Sequence, residues 1–157
     1  MKIKKYLLAH YFITISGVCL ALTGVAKVIS AEGHAGILRN NDPIFMISFG
    51  QLFLMAGIFE LFVAGICLFS NRVTLQAALI AWLSCSFIIY RLGLRWVNYR
   101  RPCPCLGNLT DALHIPPRTA DVAMNIILAY LFVGSWAILL LLWLRGRRAM
   151  VTSVPAQ

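Results

Sequence analysis

Residues 43–90 read PIFMISFGQLFLMAGIFELFVAGICLFSNRVTLQAALIAWLSCSFIIY, and these 48 residues carry two formal charges, Glu60 and Arg72. A bilayer crossing needs about 20 apolar residues at 1.5 Å rise each. The stretch therefore holds two crossings, Pro43 to Ser70 and Val73 to Tyr90, parted at Asn71-Arg72. Backbone polar groups in lipid must be paired within their own segment, which makes these helices rather than open strands. The tight Asn71-Arg72 turn predicts that the two form an antiparallel hairpin. Two further uncharged runs flank the pair, Tyr6 to Ala26 and Val122 to Leu144.

The reading that results is an all-α integral membrane protein, an antiparallel four-helix bundle in a single domain over residues 1–148. Its helices are expected at about 6–28, 43–70, 73–96 and 121–145, with a loop over 97–120 and a polar, frayed tail over 149–157. Pro102, Pro104, Gly107, Pro116 and Pro117 forbid a continuous helix through that loop. Thr119 or Asp121 is a candidate cap for the fourth helix. Composition agrees with lipid as the solvent: 61% of the chain is hydrophobic, 12% is charged and the mean hydropathy is +0.82. A soluble domain is about a quarter charged. The net charge of +9 sits at the ends of apolar runs, as headgroups and topology require, so nucleic acid is not the partner it implies.

Met1 to Lys5 would serve as the basic region of a signal peptide, but the apolar run that follows exceeds a typical h-region of about 7–15 residues. A retained helix is expected. With four crossings both termini share one side, which holds Lys2, Lys4, Lys5, Arg72, Arg145, Arg147 and Arg148. The other side holds Lys27, Arg39, Arg91, Arg95, Arg100, Arg101 and Arg118, so the count ties at seven each. The clusters at the two termini break the tie toward cytoplasmic termini and a periplasmic long loop, in a bacterial inner membrane.

Gly50, Gly57, Glu60, Ala64 and Cys67 share one face of the second helix at offsets 7, 10, 14 and 17 from Gly50. Gly17, Ala21 and Gly24 form a similar stripe in the first, and Ala81, Ser84 and Cys85 in the third. Small residues let helices approach closely in lipid. Glu60 is the exception, about ten residues from the turn and so roughly 15 Å deep. A carboxylate there must be paired or protonated. Arg91 is the first candidate partner and Lys27 the second; the competing reading is a proton-handling or quinone-site carboxyl. Arg91 and Arg95, four residues apart beside Tyr90, Trp96 and Tyr99, read as an interface belt or as ligands of a lipid or quinone head. No cofactor is fixed by the sequence, and a quinone is the one this reading admits.

The loop carries Arg100-Arg101-Pro102-Cys103-Pro104-Cys105-Leu106-Gly107-Asn108. Cys19, Cys67 and Cys85 lie in apolar helices, where a thiol behaves as a small hydrophobe, although Cys85 could resolve a mixed disulfide. Cys103 and Cys105 do not. Extended, i and i+2 Cα atoms stand about 6–7 Å apart, against about 4.4–6.8 Å for a disulfide, so closure needs a bend and gives a small, strained ring. Such disulfides are oxidising and labile, and Arg100 and Arg101 favour thiolates. Thiol–disulfide exchange, a structural disulfide pinning the loop, and a metal site completed by His114 or His34 all stay open; the C-x-C spacing is atypical of zinc.

The chain resembles the MauE family of methylamine utilisation membrane proteins, within the DoxX-like four-helix group. The matching pieces are Ser16-Gly17 through Gly24-Val-Ala-Lys27, Phe59-Glu60-Leu61 with Gly65, and Cys103-Pro-Cys105-Leu-Gly107, over about residues 10–145. The resemblance implies an accessory protein that supports maturation of a disulfide-rich periplasmic client, as for methylamine dehydrogenase, with a thioredoxin-like partner. The layout is also similar to vitamin K epoxide reductase, but this chain has no Cys-x-x-Cys, and Pro104 and Leu106 depart from the commoner MauE residues. Two functions follow as expectations: redox exchange through Cys103 and Cys105, or a non-catalytic membrane scaffold or docking subunit with a structural loop disulfide. A transporter has only one membrane carboxylate in its favour.

Overall fold

The computed structural model describes residues 2–31, 40–98 and 116–152. They form four helices: α1 Lys2–Ala31, α2 Phe49–Phe69, α3 Val73–Trp96 and α4 Pro117–Thr152. Each is long and apolar enough to cross a membrane. Their outward faces carry large apolar side chains, with Leu22, Phe62, Ile89 and Val133 each more than 60% exposed. A water-facing surface does not sustain apolar cover on that scale.

α2 begins six residues later than the hydrophobic run suggests. Asp42 turns the chain first: its Oδ1 accepts from the N–H groups of Ile44 and Phe45, both at 2.8 Å. Met46 adopts a left-handed φ of 56°. Ser48 then caps the helix, accepting from the Gln51 N–H while the Gln51 side chain accepts from the Ser48 N–H, each at 3.3 Å. This is a capping box, which satisfies two otherwise orphaned donors. Pro43 to Ile47 is thus a folded approach to the helix rather than its first turn.

α4 begins at Pro117, ahead of both expected caps. Proline fits the first helical position because its missing N–H would have no partner there, and the Pro116 carbonyl accepts from Thr119 and Ala120. At the other end α4 continues through Arg147 to Thr152, past the point where fraying was expected. Arg147 lies over the Trp143 ring at 4.1 Å, one turn back on the same face.

α1 packs chiefly on α2, and α3 chiefly on α4. A Cβ on Gly24 would meet the Gly57 carbonyl at 3.0 Å, and one on Gly17 would meet Cys67 at 3.0 Å. Ascending positions in α1 meet descending ones in α2, so this pair runs in opposite directions. The expected face of α2 is the buried one, Gly50, Gly57, Glu60, Ala64 and Cys67 included. Ile13, Leu20, Val63, Ala64, Ile80, Leu83 and Leu131 form the core. α2 and α3 meet closely near their turn, where Gln76 donates to the carbonyls of Ser70 and Cys67 at 2.6 and 3.1 Å. Farther from it a cavity opens between them.

Candidate functional site

Glu60 stands in the buried seam of α2 and is 1% exposed. Its Oε1 accepts from Lys27 Nζ, an ion pair between α1 and α2 in which neither side chain is more than 7% exposed. Lys27, not Arg91, is therefore the partner. The glycine contact explains this: at Gly24 and Gly57 the two helices nearly touch, which brings the next turn of α1 against Glu60. Lys27 also lies 5.1 Å from the centroid of the Phe87 ring, a contact that favours a desolvated cation. Burying two charges is costly unless they are paired and hydrogen-bonded.

The pairing is incomplete on one side. Glu60 Oε2 is buried and accepts no hydrogen bond among the described residues. The Thr23 hydroxyl lies beside the carboxyl and is also within hydrogen-bond distance of the Cys19 carbonyl at 3.1 Å and the Leu20 carbonyl at 3.3 Å.

The pair borders a cavity of about 300 Å³ lined by all four helices and by Phe45 of the approach segment. Its walls are mostly aliphatic and aromatic; the polar groups are Lys27, Glu60, Thr23, Ser86, Tyr90 and Arg91, with the Cys19 thiol. Sites for small molecules are concave and largely apolar, with a few placed polar groups. At one end Phe45 stacks on Tyr90, with centroids 6.0 Å apart, and the Tyr90 hydroxyl donates to Asp42. Asp42 is 1% exposed, so every oxygen it buries is used: one for the turn and one for α3.

Arg91 occupies the same end. It forms an ion pair with Asp121 at 3.1 Å and donates to Asn125, whose amide in turn donates to Asp121 at 3.3 Å. The cluster ties the last turns of α3 to the first turns of α4. Arg95, expected on the same face, is exposed. Sequence reasoning missed Asp42 and Asn125, and read Asp121 as a candidate cap rather than as the partner of Arg91. The Asp42-Pro43 turn signal was available; the Asp121-Asn125 spacing of four was visible but had no partner until α3 and α4 were packed.

Cys103, Cys105, Arg100 and Arg101 lie outside the described residues, as do His34 and His114. Cys19, Cys67 and Cys85 are free thiols within the helices, Cys67 buried and the others half-buried. No family model, curated protein or solved structure matches this chain.

Proposed function

We propose that this protein is a MauE-like, multi-pass accessory protein of a bacterial inner membrane, an antiparallel four-helix bundle whose loop cysteines exchange disulfides with a periplasmic partner. Cys103 and Cys105 are the redox pair, Arg100 and Arg101 favour their thiolates, and the partner is a thioredoxin-like protein or a client undergoing maturation. The observation that carries this reading is the contrast between the two sets of cysteines. Cys19, Cys67 and Cys85 are each accounted for as thiols inside helices, which leaves the Cys-x-Cys pair as the candidate for exchange chemistry. The clasp of Arg91 on Asp121 and Asn125 supports it by tying the ends of α3 and α4, between which the cysteine segment runs.

Thiol trapping in cells, read by mass spectrometry, tests the proposal. A mixture of reduced and oxidised Cys103 and Cys105, together with impaired partner oxidation in Cys103→Ser and Cys105→Ser variants, is the expected result. A pair that stays fully oxidised, with normal partner oxidation in both variants, would leave the disulfide a structural pin and the protein a docking subunit.

A further inference from the structure

The cavity between α2 and α3 has a mouth as well as a floor. Met55 and Phe59 of α2 and Trp82 of α3 line it while remaining 51–59% exposed. The Phe59 and Trp82 rings meet at a tilt of 60° with centroids 6.2 Å apart. These are outward positions on helices apolar enough to cross a membrane, so the mouth opens sideways, toward where acyl chains would lie. The floor is the Lys27–Glu60 pair. Charge there is already balanced, so the site has no call for an ion of either sign. What it lacks is one hydrogen-bond donor, at the buried Glu60 Oε2. An unmet acceptor in an apolar surround is costly, the more so when it is charged.

The geometry points to a binding site for an apolar molecule drawn from the bilayer that carries a hydroxyl, its O–H donating to Glu60 Oε2 and its hydrocarbon body lying against Phe87 and running out past the Phe59–Trp82 pair. The volume, about 300 Å³, is at the small end of ligand sites and suits a single alcohol or phenol head with part of its chain. The site is built from residues of the four helices and the approach segment and does not depend on the loop cysteines.

Tryptophan quenching by 8-bromooctan-1-ol, compared with its methyl ether 1-bromo-8-methoxyoctane, tests this in the detergent-purified full chain. The ether keeps the shape and bromine but has no donor. Saturable quenching about tenfold tighter for the alcohol is expected, the difference a hydrogen bond to a charged acceptor makes. Trp82→Phe should remove the saturable component. Glu60→Gln, which removes the charge and places an amide N–H at the Oε2 position when its oxygen keeps Lys27, should bring alcohol and ether to about equal affinity. Should that variant fail to fold, Ala56→Phe fills the cavity while keeping both members of the pair and should abolish saturable quenching by both compounds. Equal affinity of alcohol and ether in the unaltered chain would overturn the proposal, because Oε2 would then already be satisfied, as by water. Saturable quenching that survives Ala56→Phe would overturn it too. The preference should persist in a Cys103→Ser/Cys105→Ser chain, which separates this site from thiol exchange; its loss there would overturn a site independent of the loop cysteines.

Discussion

Glu60 and Lys27 are 33 positions apart in the chain, and each explains the other's burial. A lone carboxylate at this depth would be expelled or neutralised; with an ammonium against it, the two can remain. Breaking such a pair is far costlier than replacing both halves, because the survivor is left as an uncompensated charge. Lys27→Met alone and Glu60→Met alone should each destabilise by about 3–5 kcal/mol, whereas the double Lys27→Met/Glu60→Met variant should lie within about 1–2 kcal/mol of the unaltered chain. Thermal unfolding in detergent, arranged as a double-mutant cycle, measures this. If the double variant is as unstable as the singles, the pair is not an isolated unit and further polar groups depend on it. Cys67 illustrates the opposite case: buried against Gly17, it does the work of a small apolar side chain, as its place in the α2 stripe suggests.

At the scale of elements, the α1–α2 contact depends on glycine where the backbones touch. A Cβ on Gly57 would lie 2.9 Å from the Gly24 carbonyl and 2.9 Å from Val28, whereas one on Gly65 would meet nothing within 4 Å. Gly57→Ala should therefore force the helices apart at a cost of about 1–3 kcal/mol. Gly65→Ala should be neutral or stabilising by up to about 1 kcal/mol, since alanine is the better helix former. Unfolding midpoints of the two variants, measured side by side, check the contrast. The approach segment is held just as locally. Asp42→Ala removes the acceptor of two backbone N–H groups and of the Tyr90 hydroxyl, and should cost about 2 kcal/mol or more. Asp42→Asn keeps a side-chain oxygen for the turn and should cost clearly less in the same assay. Equal losses would place the weight of Asp42 on Tyr90 rather than on the turn.

For the whole molecule, the helix pairing departs from chain order in an instructive way. The short connection between α2 and α3 suggests a tight hairpin, yet each finds its main contact elsewhere, α2 on α1 and α3 on α4. The glycine stripes draw the first pair together, and the Arg91–Asp121–Asn125 cluster clasps the second. The gap left between the pairs is the cavity. The membrane reading makes a topological prediction on the same scale. Green fluorescent protein fused at either terminus should fluoresce, and alkaline phosphatase inserted after Gly107 should be active, because phosphatase folds only on the oxidising side. The reverse pattern would place the Cys-x-Cys pair in a reducing compartment and remove the ground for disulfide exchange.

Four apolar helices, the buried stripe on α2 and a buried carboxyl needing a partner were all legible in the sequence. They follow from run length, helical period and the cost of charge in lipid, which are properties of the chain read along itself. The start of α2 at Ser48 was legible in principle, in the Ser48-x-x-Gln51 box, but a hydrophobic run that continues through Pro43 to Ile47 hid it. The tertiary structure alone decided that Lys27 rather than Arg91 meets Glu60, that Arg91 joins α3 to α4, and that Asp42 is shared between a turn and Tyr90. Only packing decided the first of these because two cations, Arg91 and Lys27, were both candidates for one carboxylate. Which one arrives is set by how closely two backbones approach, here at Gly24 and Gly57, and a distance between helices is not a property of either helix's sequence alone.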